Sequence, residues 1–297
     1  MASKLDLYKV FCMVGKHKSF SKAAKELYMT QPAVSQSIMQ LEDELEIRLF
    51  TRTSKGVILT NEGKLIYEYA NSAINLINTG EEKLLEARNL LIGDLKIGVG
   101  DTISKYFLMP YLEEFHKRYP NIKFKIINAT TLELCSIVKS GEIDIAICNL
   151  PITDSALETK QCMEIQDIFV CGEKYKNKFQ KPISFKELSK FPLILLESKS
   201  LSRQYIEKYL LSNGISINPE IELGSYDLLL EFTKINLGIA CVIREFSKEY
   251  LEKNIIYEVP LKASIPKRSI GICFLKSVPL SPASTKFLEI FDERLEN

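Results

Sequence analysis

Surplus charge is the first thing missing from this chain of 297 residues: 39 Lys and Arg stand against 38 Asp and Glu, a net charge of +1. No global charge advertises nucleic acid. Long apolar runs are missing too, since no stretch approaches the ~18 residues of a membrane span. Met1–Val10 is charged and the apolar stretch behind it is short, so no secretory leader is expected and the expected compartment is the cytoplasm. Histidine occurs only at 17 and 116, and the seven cysteines (12, 135, 148, 162, 171, 241, 273) form no CxxC pair. That spacing offers no zinc site, and buried free thiols are expected. Cys148 stands apart because it falls near an expected strand end. Gly98-Val99-Gly100 lacks the third glycine of a dinucleotide fingerprint. No Ser or Cys finds a His and an acid for a nucleophilic triad. Catalytic residues, metal ligands and a resident cofactor are therefore not expected.

What the chain does have is concentrated in Ser19–Thr60. Ser21 is the expected N-cap of a first short helix, with Ala23, Ala24 and Leu27 turned inward. Thr30 caps the next helix, whose first turn holds Gln31 and Pro32, a position where proline forfeits no hydrogen bond. Val34, Ile38, Leu41 and Leu45 mark its buried face. Gln31, Pro32, Ser35, Gln36 and Met39 are left outside, where a solvated helix would carry Lys and Glu. Short amides and hydroxyls both donate and accept, which suits base edges in a DNA major groove. A hairpin with Arg52 and Lys55 follows, placed to meet the phosphate backbone or minor groove. Residues 1–60 hold nine basic and six acidic side chains, a local +3 within a neutral chain. Leu5–Lys16 reads as a preceding helix with Leu7, Phe11 and Val14 inward.

Phe20-Ser21, Ala23-Ala24, Leu27, Gln31-Pro32-Ala33-Val34-Ser35, Ile38, Leu41-Glu42, Leu45, Leu49-Phe50, Arg52, Leu59-Thr60 and Gly63 closely resemble the N-terminal domain of LysR-type transcriptional regulators. Two positions depart from the family's pattern. Glu46 stands where glycine is usual, suggesting a looser or differently capped turn, and Thr30 stands where serine is common.

Beyond the hairpin, Ile66, Ala70, Ala73, Ile77, Gly80, Leu84, Ala87 and Leu91 repeat at 4, 3, 4, 3, 4, 3, 4. That 3.5-residue period suits a paired left-handed helix, and its small residues permit close approach. After Gly93-Asp94 the pattern changes to alternating strands and helices: Leu95–Val99, Phe124–Asn128 and Ile143–Asn149 with helices between them, then a second set from Ile168 to Ile243, then strand Ile270–Leu275 and a last helix Ala283–Leu295. This rhythm predicts an α/β fold with parallel sheets in two lobes and two chain crossings between them. The expected organisation is residues 1–60 as a winged helix-turn-helix, 61–92 as a linker and dimerisation helix, and 93–297 as a two-lobed effector domain. Within it, lobe 1 is about 93–163 and 267–297, and lobe 2 about 164–266.

Open parallel sheets bind ligands at the C-terminal ends of their strands. Those ends nominate Thr102, Ile103, Thr130, Asn149, Ser198, Ser200, Ser202 and Arg203 as an anion-friendly pocket, with Arg203 as a bidentate donor. The same Ser and Thr also serve as plain helix caps, and Arg203 alternatively pairs with Glu207 on the surface. The resemblance implies a periplasmic-binding-protein-like (type 2) effector domain, a small-molecule co-inducer or co-repressor between the lobes, and dimers or tetramers; a ligand-driven shift of the paired reading heads would change DNA bending or contact with RNA polymerase. On that reading Ser21, Thr30, Gln31, Pro32, Ser35, Gln36, Arg52 and Lys55 meet double-stranded operator DNA. A solute-binding protein fits only the C-terminal half, and an enzyme with a DNA-binding arm lacks a catalytic constellation.

Overall fold

The computed structural model describes residues 4–53, 56–88 and 93–295. The chain forms two compact units, one of Met1–Leu90 with Ile137–Ile143 and one of Leu91–Ser136 with Asp144–Asn297.

In the first unit, α1 (Lys4–His17), α2 (Phe20–Glu26) and α3 (Gln31–Leu45) precede a two-stranded hairpin, β1 (Phe50–Thr53) and β2 (Gly56–Leu59), and the 28-residue α4 (Asn61–Arg88). Leu7, Phe11, Val14, Ala23, Ala24, Val34, Ile38 and Leu41 close one buried cluster. Phe50 meets Phe11 and Phe20 at ring distances of 5.3 and 6.1 Å, which fixes the hairpin on the helices. Glu42 is buried beneath them. Its carboxylate accepts from the backbone N–H groups of Leu49 (2.7 Å) and Phe50 (3.2 Å) and from Arg48 (2.7 Å). Three charge-assisted bonds thus pin the start of the hairpin to α3. Thr60 caps α4 by accepting from Gly63 N–H at 2.9 Å. Gly63 is required there, because a Cβ would lie 2.2 Å from the Leu49 carbonyl oxygen.

Three expectations need correction here. The N-cap of α2 is Ser19, which accepts from Lys22 N–H, and Ser21 lies in the first turn. Glu46 does not loosen its turn: it takes the left-handed C-cap conformation itself, with φ +55°. A side chain therefore occupies the conformation glycine adopts without strain, at a cost of about 1 kcal/mol. The 3.5-residue stripe is split. Ile66 and Ala70, with Tyr67 and Ile74, pack on the unit's own core, whereas Ala73, Ile77, Gly80 and Leu84 are exposed. Leu65 and Tyr69 extend that exposed face upstream. The Ala87 side chain and Leu91 lie outside the described residues.

The second unit holds two five-stranded sheets. The first contains β3 (Gly93–Val99), β4 (Ile122–Asn128), β5 (Ile145–Leu150) and β6 (Leu157–Ile165). The second is built on β7 (Asp167–Cys171), β8 (Leu193–Leu196), β9 (Ile221–Leu223), β10 (Ile239–Ile243) and the short β11 (Tyr257–Glu258). The last strand, β12 (Arg268–Leu275), returns to the first sheet. The spatial orders are β4-β3-β5-β12-β6 and β11-β7-β10-β8-β9. β3, β4 and β5 run parallel, as do β8, β9 and β10, but β12 lies antiparallel to β5 and β6, and β7 antiparallel to β10 and β11. The sheets are mixed rather than parallel throughout. β6 was not expected: its sequence LETKQCMEI belongs to a sheet edge, so half its residues are polar or exposed. The chain leaves the first sheet at Gln166 and returns to it at Arg268.

Helices cover both sheets. α5 (Asp101–Ile103), a π-helical turn (Ser104–Leu108) and α6 (Met109–Arg118) run on without a break; α7 is Thr131–Lys139. α8 (Glu173–Lys176) and α9 (Phe185–Leu188) are single turns. α10 (Leu201–Ser212) and α11 (Tyr226–Lys234) follow β8 and β9, α12 is Lys248–Glu252, and α13 (Pro282–Leu295) closes the chain. Among the described residues no helix is long and apolar enough to cross a membrane.

Candidate functional site

The exposed face of α3 presents Gln31, Pro32, Gln36 and Met39, with Ser35 half-buried among them. Thr30 holds the N-cap, its Oγ1 accepting from Ala33 N–H at 3.4 Å. No acidic side chain occupies the first turn, so the positive end of the helix is uncovered. Arg52 is exposed on β1, and Lys55 lies outside the described residues. Tyr28, in the turn between α2 and α3, is 98% exposed at φ +52°, a prominence the sequence did not flag.

In the second unit, strand ends and helix starts of both sheets surround a cleft of about 350 Å³. Thr102, Ile103, Thr130, Asn149, Ser200 and Ser202 line it; Ser198 does not. Four helices begin on the cleft and are capped differently. Thr130 spends its hydroxyl on α7, accepting from Glu133 N–H and donating to the Glu133 carboxylate at 2.7 Å. That bond, with the Thr130 backbone N–H, lowers the Glu133 pKa. The plain-cap reading therefore holds for Thr130. Gly100, Ser200 and Ser225 make no side-chain cap bond, so α5, α10 and α11 start with uncapped backbone N–H groups.

Arg203 departs from its expected role. It is 5% exposed, donates to the Leu196 carbonyl at 3.0 Å and pairs with Glu207 at 2.6 Å, so it is committed within its own lobe and does not line the cleft. Lys199 is the cation that lines the cleft, and two of the other lining residues bond to Arg268, which the sequence did not flag. Its Nε and Nη2 donate to the two Asp167 oxygens at 2.6 and 2.9 Å. Nη1 donates to Asn149 Oδ1, and Nη2 also donates to Ser202 Oγ at 2.9 Å. Asp167 and Arg268 each open a strand where the chain changes sheets. A charge abutting Ile168-Phe169-Val170 and another abutting Ile270-Gly271-Ile272 were the available signal, because buried charges must be paired. Lys105 and Tyr106 of the π-helical turn both donate to Asp227 of α11.

Cys148 lies inside β5, not at its end, and is fully buried. Cys135 and Cys273 beside it and the burial itself push its pKa upward, which keeps it a thiol. Among the described residues no group of His, Cys, Asp or Glu is placed to hold a metal.

Two family models account for nearly all of this architecture. Residues 5–64 match the bacterial regulatory helix-turn-helix protein of the lysR family, and residues 88–296 match the LysR substrate binding domain. The chain belongs to the LysR family. This LysR-type protein is a DNA-binding transcriptional regulator, not an enzyme, with a C-terminal domain built to bind an effector. It is 25% identical over 281 residues to the RuBisCO operon transcriptional regulator of Allochromatium vinosum, covering 95% of this chain and 93% of that one. It is 27% identical to the transcriptional regulator CysL of Bacillus subtilis, covering 85% and 83%. Its fold is similar to full-length OxyR of Pseudomonas aeruginosa (TM-score 0.71, 20% identity, 100% and 95% covered). It is also similar to full-length CbnR in complex with its target DNA (TM-score 0.66, 18% identity, 98% and 99% covered).

Proposed function

We propose that this regulator reads operator DNA with the exposed face of α3 and answers to a small anionic effector held in the cleft. Gln31 and Gln36 read base edges, Gln being suited to adenine. Thr30 and Ser35 contact phosphate or base edges, Pro32 packs against a thymine methyl or the backbone, Ser21 faces DNA from α2, and Arg52 and Lys55 hold the flanking backbone. The split stripe on α4 supports a dimer: Ala73, Ile77, Gly80 and Leu84 leave a narrow apolar face that a second copy would cover. Such a dimer sets two reading helices about 34 Å apart on successive major grooves. Residues 1–60, 61–92 and 93–297 are the corresponding working parts, and the cytoplasm, where the DNA lies, is the compartment.

One observation carries the effector's charge: α5, α10 and α11 open on the cleft with no side-chain cap, which leaves backbone N–H groups for an anion. The carboxylates at the cleft, Asp101, Glu133 and Glu197, are all exposed and so largely screened by solvent. They favour a second, donor-bearing or cationic end on the same ligand. The effector acts only through unequal affinity for two lobe arrangements. DNase footprints of the protein on its operator, with and without a ligand identified by screening small carboxylates and zwitterions, test this reading. An altered footprint is expected, and an identical one contradicts effector control. A stable monomer at micromolar concentration contradicts the dimer.

A further inference from the structure

Arg268 donates and never accepts, and that settles the polarity of its two neutral neighbours. A guanidinium has five N–H donors and no acceptor. The Asn149 atom facing it is therefore the carboxamide oxygen, and the Asn149 NH2 group is left for another acceptor. Ser202 Oγ accepts a hydrogen bond from Arg268 Nη2, so its own O–H is left to donate elsewhere. No other hydrogen bond of either side chain is formed among the described residues, and both line the cleft. Asn149 is the penultimate residue of β5 in the first sheet, and Ser202 lies in the first turn of α10, which follows β8 of the second. Arg268 is itself fixed. It is 6% exposed and its fork is clamped bidentately by Asp167, which is 3% exposed.

We infer that Arg268 is the positioning residue of the effector site: it holds Asn149 and Ser202, one from each lobe, with their hydrogen-bond donors turned to the cleft, so the site takes an acceptor group such as a carboxylate or sulfate that bridges the lobes. This rests on the proposal that the cleft binds an anion, and it adds where the anion sits and what sets its orientation. Lysine at 268 keeps the charge on Asp167 but cannot hold three partners in one plane. The substitution Asn149→Asp keeps an oxygen for Arg268 but loses the donor and adds a negative charge, so the charge-neutral Ser202→Ala is read beside it.

The test is calorimetric titration of the full-length protein with sodium sulfate, acetate and succinate at fixed ionic strength. It is repeated for Asn149→Asp, Ser202→Ala and Arg268→Lys, each first shown to melt cooperatively. The expected result is binding of at least one anion by the unchanged protein. Asn149→Asp and Arg268→Lys should weaken it tenfold or more, and Ser202→Ala several-fold. Binding that Asn149→Asp and Arg268→Lys leave within twofold overturns the positioning role while the anion-binding cleft stands. No binding of any of the three by the unchanged protein overturns both. Should Arg268→Lys fail to fold, Asn149→Asp and the charge-neutral Ser202→Ala decide together: anion affinity within twofold of the unchanged protein in both overturns the donor roles that Arg268 is inferred to set.

Discussion

On the proposed reading, the α3 head and the cleft solve the same problem, presenting polar groups to a partner, in opposite ways. In the head most of the presenting residues lie within a few turns of one helix, and the groups that hold them are equally local: Thr30 caps α3 and Val34, Ile38 and Leu41 bury its other face. In the cleft the presenting residues come from separate strand ends and helix starts, and the group hydrogen-bonded to two of them, Arg268, is 119 residues from Asn149 and 66 from Ser202. A helix surface carries its own scaffold, whereas a cleft between lobes borrows its scaffold from the places where the chain crosses. Substitutions should accordingly separate specificity from stability in the head and merge them in the cleft.

The largest effect is expected at the crossing. Asp167→Leu leaves Arg268 buried and unpaired and should cost about 3–5 kcal/mol in urea unfolding, whereas Asp167→Leu with Arg268→Met should recover much of that loss. If the double variant is no more stable than the single one, the pair is not what holds the crossing. Next, Glu42→Ala strands the Leu49 and Phe50 N–H groups and should cost about 2–3 kcal/mol by the same measurement. Gln36→Ala tests the other half of the contrast. Stability should stay within about 0.5 kcal/mol, while discrimination between operator and mismatched duplex falls by about 1–3 kcal/mol in competition binding. Smallest, Glu46→Gly should raise stability by about 1 kcal/mol by relieving the left-handed glutamate. An unchanged melting curve would mean that the φ of +55° carries little strain.

The head was legible in the sequence almost residue by residue, because helix period, capping and exposure are all local signals. The errors there were small and physical. Ser19 and Ser21 are both competent caps two residues apart, and it is Ser19 whose backbone is extended. The α4 stripe read as uniform because a heptad pattern does not say which partner covers which turn; the first turns serve the unit's own core. In the second unit the strand cores were legible from their apolar runs, but direction was not. β12 and β7 look like any buried strand, and only the crossings make them antiparallel to their neighbours. Thr130 and Ser200 look alike in sequence. Glu133, three residues on, was the available sign that Thr130 is a cap, and Arg203, three residues after Ser200, offers no such partner. The Arg268 cluster was least legible, because nothing local joins residues 149, 167, 202 and 268.

Base reading by α3 is open to one decisive measurement: in vitro selection of duplexes from a random-sequence pool, run with the full-length protein and with Gln36→Ala. The unchanged protein should recover a two-fold symmetric site, with half-sites separated by about one helical turn or a multiple of it, and Gln36→Ala should lose preference at one base pair of each half-site. Recovery of the same site with the same preferences by both proteins would contradict the assignment of base reading to the exposed face of α3.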